Sequence, residues 1–166
     1  KYTFLFSDSI RNIAINNRMI ALTYDDGPNP RYTERILDIL KERHAKATFF
    51  ILGKHAERYP YIVQRIIVEG HEIGNHSWSH QLLTGENVDP IRNEIQQTNE
   101  LIRRFGYGEE IFFRSPYGAK NIAVWWVLLW RAQRHVLWDS MSYDWENIHI
   151  DKMFENGLSF IRKIKE

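Results

Sequence analysis

Two adjacent carboxylates, Asp25 and Asp26, stand at the end of an apolar run over residues 19–24 and are followed by Gly27-Pro28. Successive strand residues point to opposite faces, so at a strand end one acid can bind a cation while its neighbour takes a proton. The same Asp-Gly-Pro composition also builds an ordinary Asx turn, and alone the pair does not decide between the two. Further along, His76-Ser77-Trp78-Ser79-His80 places two imidazoles four apart, which on one helical turn brings both rings to one face within reach of a single cation. Two neutral imidazoles and one carboxylate, which Asp26 can supply, leave coordination positions open for water and substrate. Arg114-Ser115-Pro116-Tyr117-Gly118 adds a permanent cation able to hold Asp25 ionised, then a rigid turn whose Tyr117 N–H can stabilise an oxyanion. Read by itself, that segment is also what a surface ion pair beside a turn looks like. Trp138 and the Asp144-Trp145 pair are suited to line a sugar-stacking groove, whereas Trp125, Trp126 and Trp130, at helical spacing, read as core.

Alternating apolar and amphipathic runs must position these groups. Residues 19–24 read as a buried strand, 31–42 as a helix with Ile36, Leu37 and Leu40 inward, and 48–52 as a second strand. A helix over 59–69 carries an Ile62, Ile66, Ile67 stripe and closes at Gly70, ahead of a short strand at 71–74. The longest helix, 89–105, opens with a capping residue and Pro90 and ends at Gly106. A strand at 111–114, a helix at 121–131, a strand at 135–138 and a helix at 150–164 follow, the last with Met153, Phe154, Leu158 and Ile161 on one face. Repeated strand-to-helix order predicts a parallel sheet or barrel, with reactive groups at the C-terminal ends of its strands, where the polar clusters stand.

Composition limits the alternatives. The 166 residues suffice for one ordinary core, and a single domain over 1–166 is expected. With 43% hydrophobic, 26% charged and 14% aromatic residues the chain reads as folded and globular. A net charge of +1 with both signs interspersed leaves no electrostatic footprint for nucleic acid or an anionic membrane. The absence of cysteine removes disulfides, thiolate nucleophiles and Cys-based zinc sites but leaves the compartment open. The longest apolar stretch, 122–130, is far short of the ~20 residues that span a bilayer and reads as a buried helix. Nothing near Lys1 has the form of a signal peptide, so such a leader is expected to have been removed or never to have been there.

In this order, Thr23-Tyr24-Asp25-Asp26-Gly27-Pro28, His76-Ser77-Trp78-Ser79-His80, Arg114-Ser115-Pro116-Tyr117-Gly118 and Asp144-Trp145 resemble four motifs of the polysaccharide deacetylases, the NodB-homology family of carbohydrate esterases. The likeness spans about residues 18–145, with Ala47-Thr48-Phe49-Phe50 and residues 70–75 as supporting matches. It implies an α/β fold, a distorted (β/α) barrel, and removal of acetyl groups from N-acetylglucosamine polymers such as peptidoglycan or chitin, or from acetylated xylan. It further implies zinc, cobalt or a similar divalent ion held by Asp26, His76 and His80, Asp25 as base, Arg114 orienting that base, and Tyr117 as oxyanion donor. Asp144 would tune a general acid, while Pro116, Gly118 and Trp145 would contact substrate. Family substrates imply an extracytoplasmic location.

The departures are specific. Tyr24 replaces a commoner Phe, and Met141 stands where the first acid of an Asp-x-x-Asp-Trp motif would be. The family's late Leu-x-His, whose His protonates the leaving amine, is not found, and His149 is a poor substitute, with Asn147 where Leu belongs. A C-terminal strand of the barrel is therefore expected to be missing after Glu166. The alternatives are a catalytically silent carbohydrate-binding homologue, or a deacylase of a lipid-linked sugar. Without the acid, roughly 10²–10⁴ in rate is forfeited.

Overall fold

The computed structural model describes residues 9–11, 19–83, 87–144, 146 and 149–163. Every strand pairing among them is parallel. β2 (Thr23–Gly27), β3 (Thr48–Ile51) and β4 (Glu72–Asn75) form one ladder, with Thr23 opposite Thr48 and Thr48 opposite Glu72. β1 (Ser9–Ile10) pairs with β5 (His135–Val136), and Phe113 bridges Asn75 on one side and His135 on the other. The spatial order is β2, β3, β4, Phe113, β5, β1. This is the expected α/β arrangement, an open run of barrel-like parallel strands.

The connections are helical: α1 (Thr33–Glu42), α2 (Gly53–Arg58), α3 (Pro60–Val68), α4 (Val88–Arg104), α5 (Ile122–Trp130) and α6 (Ile150–Lys163). Leu37, Leu40, Ile62 and Ile66 turn inward from α1 and α3, as their spacing predicts, and with Val63 meet Phe49, Ile51 and Ile73 of the sheet, while Ile36 and Ile67 are only partly buried against this core. A second cluster joins α4 to α5 through Ile91, Ile95, Val124, Val127 and Leu128, with Phe113 beneath. Gly74 is obligatory in the first layer, because a Cβ there would stand 2.3 Å from the Phe50 ring.

Several expectations need correction. The strand over 19–24 begins only at Thr23, since Met19, Ile20 and Leu22 lie exposed beyond the regular ladder. The strand at 111–114 shrinks to a single residue, Phe113, that bridges both neighbours, because Pro116 turns the chain at once; its backbone is still bonded on both flanks, from Arg114 N to Asn75 O and from Val136 N to Phe113 O. α2 was not anticipated, being six residues long, too short for a periodic pattern, and opened by a glycine that reads as a turn. The α4 cap is Asn87, whose side chain accepts from Asp89 N, so the helix starts a residue early. In α5, Trp126 and Trp130 are 59% and 75% exposed rather than core, and Ile122 and Leu129 share their exposure. A nine-residue helix with almost no polar residue has no face that declares which side is inward; packing against α4 selects Ala123, Val124, Val127 and Leu128. In α6, Phe154 is exposed instead of inward, and Ile164 and the Ile161 side chain lie outside the described residues.

Candidate metal and catalytic site

The two carboxylates at the end of β2 go separate ways. Asp25 Oδ1 accepts from Arg114 Nη1 at 2.6 Å. Asp26 adopts a left-handed φ of 67°, and its Oδ1 lies 3.4 Å from His76 Nε2 and 3.1 Å from His80 Nε2. Strand alternation begins this divergence and the left-handed backbone completes it. The turn is anchored by Leu52 N on Gly27 O, and by His55 Nδ1, which donates to Asp26 O at 2.8 Å.

His76 and His80 meet without a helix. The segment between them is a loop, with Ser77 at φ 71° and His80 at φ 61°, and the ring centroids are 5.1 Å apart. The helical-turn expectation is thus wrong in mechanism, though the rings share a site. Local polar bonds replace the helix: Asn75 Oδ1 accepts from Ser77 N at 2.7 Å, and Ser77 Oγ accepts from His80 N at 3.1 Å. Among the described residues, four of the seven non-glycine residues with positive φ (Asp26, Ser77, His80 and Tyr117) belong to this site, a concentration typical of functional backbone.

The donor set suits a divalent cation. His76 Nδ1 donates to Arg114 O at 2.7 Å, which leaves the Nε2 lone pair toward Asp26. Burial pushes the His80 imidazole below its ordinary pKa, against the opposing pull of Asp26. The hydrogen bond with His76 lowers the Asp26 carboxyl, opposed by burial and assisted by the charges of His76, His80 and His55. One ligand atom from each of Asp26, His76 and His80 lies within 4.8 Å of the others, and separations of 3.1 and 3.4 Å match donors at about 2.0–2.2 Å from a shared ion. A cavity of about 340 Å³ opens beside them, lined by Leu52, Lys54, His55, Trp78 and Ser79 as well as Asp26 and His80.

Arg114 is buried rather than a surface ion pair. At 2% exposure it also donates to Thr23 Oγ1 at 2.8 Å, Leu137 O at 3.2 Å and Val136 O at 3.3 Å, and its guanidinium lies 3.9 Å from the Phe50 ring centroid and 5.4 Å from that of Trp138. Burial lowers its pKa, and Asp25 offsets part of that shift. Such a donor fork fills the interior while tying β2 to β5.

Beyond Arg114 the chain makes a 3₁₀ turn over Pro116–Gly118, with Tyr117 at φ 58°. The Tyr117 ring centroid is 4.6 Å from that of His80, so the turn sits against the histidine pair, and its N–H has no acceptor among the described residues. Pro116 is buried and Gly118 lies beneath Trp138. A chain of bonds that the sequence did not signal holds this turn: Ser115 Oγ donates to Ala119 O at 2.6 Å, His135 Nε2 lies 2.9 Å from that hydroxyl, and Ser9 Oγ lies 2.8 Å from His135 Nδ1. Ser115 N also points at His135 Nε2, at 3.4 Å, so the imidazole is tied to both the backbone and the side chain of Ser115. Burial, with Lys120 and Arg114 nearby, pushes His135 down to about 4, so it stays neutral. A lone histidine in a strand carries no sequence signal for this role.

Not every expected residue joins. Asp144 is exposed and takes a bond from Ser142 Oγ at 2.8 Å, with no hydrogen bond or ion pair to the residues above. Trp145 lies outside the described residues. His149 is exposed and pairs with Asp151.

The model of the polysaccharide deacetylase family matches residues 13–129. The chain is 41% identical over 164 residues to a peptidoglycan-N-acetylglucosamine deacetylase of Bacillus cereus, covering 95% of this chain and 56% of that protein. It is 41% identical over 135 residues to the peptidoglycan-N-acetylmuramic acid deacetylase PdaC of Bacillus subtilis, covering 80% and 28%. It therefore spans little more than half, or less, of these two relatives. A crystal structure of the peptidoglycan N-acetylglucosamine deacetylase Bc1960 superposes with a TM-score of 0.78 at 40% identity, covering 87% of this chain and 67% of that one. With a family match over most of its length and its paired carboxylates, histidine pair and arginine turn in one constellation, this chain belongs to the polysaccharide deacetylase family.

Proposed function

We propose that the chain is the deacetylase unit, a single domain over 1–166, of a metal-dependent hydrolase that removes acetyl groups from an N-acetylated cell-wall glycan outside the cytoplasm. The observation that carries this is the division of labour at the end of β2: Asp25 is bonded to a guanidinium while Asp26 faces two imidazoles. Peptidoglycan is favoured as substrate by the activities of the two relatives named above, and no helix among the described residues is long and apolar enough to cross a membrane.

Asp26, His76 and His80 would hold the ion, with zinc the best fit to two imidazoles and a carboxylate, and cobalt able to replace it. When bound, that ion supplies Lewis-acid activation of water and of the acyl carbonyl. Arg114 keeps Asp25 oriented, and Asp25 accepts the proton as water attacks the acetyl carbon. The Tyr117 N–H donates to the oxyanion that forms. Pro116, Gly118 and Trp145 form part of the sugar-binding surface in this reading, and Asp144 tunes a proton donor. Collapse of the adduct breaks the C–N bond and releases acetate and an amine. The Leu-x-His donor expected for that amine is not among residues 1–166. The test is acetate release from N-acetylglucosamine oligomers with zinc supplied. Release that stops on chelation and in Asp25→Asn supports the reading; zinc binding without any release points to a glycan-binding homologue.

A further inference from the structure

The loop that carries both histidines is gripped from two sides by groups outside every motif. From α4, the Glu94 carboxylate takes three bonds: Oε2 accepts from Trp78 N at 3.0 Å and Ser79 N at 2.8 Å, and Oε1 accepts from Ser79 Oγ at 2.8 Å. From α2, Gly53 N and Lys54 N donate to Ser77 O and Trp78 O, both at 3.0 Å. The N–H groups of Trp78 and Ser79 are therefore bonded to α4, and the carbonyls of Ser77 and Trp78 to α2. The fit between these helices is tight, since a Cβ on Gly53 would stand 2.2 Å from the Trp78 ring and 2.6 Å from Thr98 Oγ1. The same α2 bonds Asp26 O through His55. One six-residue helix thus touches both the acid and the histidine loop.

We infer that Glu94 is a positioning residue of the metal centre, fixing the 77–79 backbone so that His80 reaches the ion, and so setting metal affinity while touching neither metal nor substrate. The inference rests on the assignment of Asp26, His76 and His80 as ligands. Its physical basis is that the loop holds two left-handed residues, a conformation that local propensity does not favour and that must be imposed by outside bonds. Partners that orient metal ligands typically account for ~10- to 100-fold in affinity.

The role depends on reach, not charge, and two substitutions separate these. Glu94→Gln keeps an oxygen for both N–H groups and an amide for the Ser79 hydroxyl. Glu94→Asp keeps the charge but is one methylene too short. Zinc affinity of the 166-residue chain, by competition with a chromophoric chelator, and the visible spectrum of bound cobalt are read together. Glu94→Gln should match the parent chain in both, and so should Asn93→Ala, exposed on the same helix. Glu94→Asp and Glu94→Ala should weaken zinc by ~10- to 100-fold and alter the cobalt band. Parent-like binding by Glu94→Asp, or equal losses in Glu94→Gln and Glu94→Ala, overturns the inference and leaves the ligand assignment standing. A parent chain that binds neither ion overturns both. If Glu94→Ala does not fold, the Gln and Asp variants decide.

Discussion

Arg114 Nη1 bonds Asp25 Oδ1 at 2.6 Å across 89 residues of sequence, and the same guanidinium reaches Thr23, Val136 and Leu137. One side chain thus orients the proposed base and ties the first strand of the array to the fifth. Removing the buried guanidinium leaves the half-buried Asp25 and three further acceptors without their donor, and breaking such a pair costs about 3–5 kcal/mol. Arg114→Ala should lose stability on that scale in urea unfolding, and Arg114→Lys should recover little, because one ammonium cannot serve four acceptors in a fixed plane.

The two carboxylates should separate in a paired experiment. Asp25→Asn is expected to bind zinc like the parent chain and to lose at least ~10²-fold in acetate release. Asp26→Asn should lose zinc along with activity. Isothermal titration beside an acetate assay checks both, and equal zinc loss in the two variants would contradict the division of roles.

His135 gives stability a pH dependence of predictable sign. Its folded pKa of about 4 lies below the ordinary imidazole value of 6.5, so between those limits the unfolded chain binds the extra proton. Stability should be level above pH 6.5 and fall with decreasing pH down to about 4, with His135 contributing roughly 3 kcal/mol of that loss. His71 and His80, also lowered by burial, act in the same direction. His135→Gln retains a hydrogen-bonding group toward Ser115 but cannot titrate, and unfolding at several pH values should show a shallower slope.

Trp126 and Trp130 provide a test of which side of α5 is inward. Trp130→Gln should change stability by no more than ~0.5 kcal/mol, whereas Leu128→Ala, two residues earlier and 5% exposed, should cost ~2–5 kcal/mol. Thermal unfolding of the two variants would distinguish them, and comparable losses would mean that the Trp130 ring is packed.

Residue chemistry and order by themselves pointed to the candidate ligand set, the proposed base and its arginine partner, and determined the β/α alternation and the inward residues of α1 and α3. Those are properties of local periodicity and of donor types that few other arrangements satisfy. Where the pattern lacked contrast the sequence was silent: α5 is apolar all round, α2 is too short to show a period, and the strand near Phe113 is a single bridging residue. The tertiary structure alone decided that His76 and His80 meet through a left-handed loop, because bonds from Glu94, Asn75 and the start of α2 impose what the local backbone disfavours. It likewise brought Ser9, His135 and Ser115 behind the Tyr117 turn, since only parallel pairing of β1, β5 and Phe113 carries residues so far apart in sequence to one strand end.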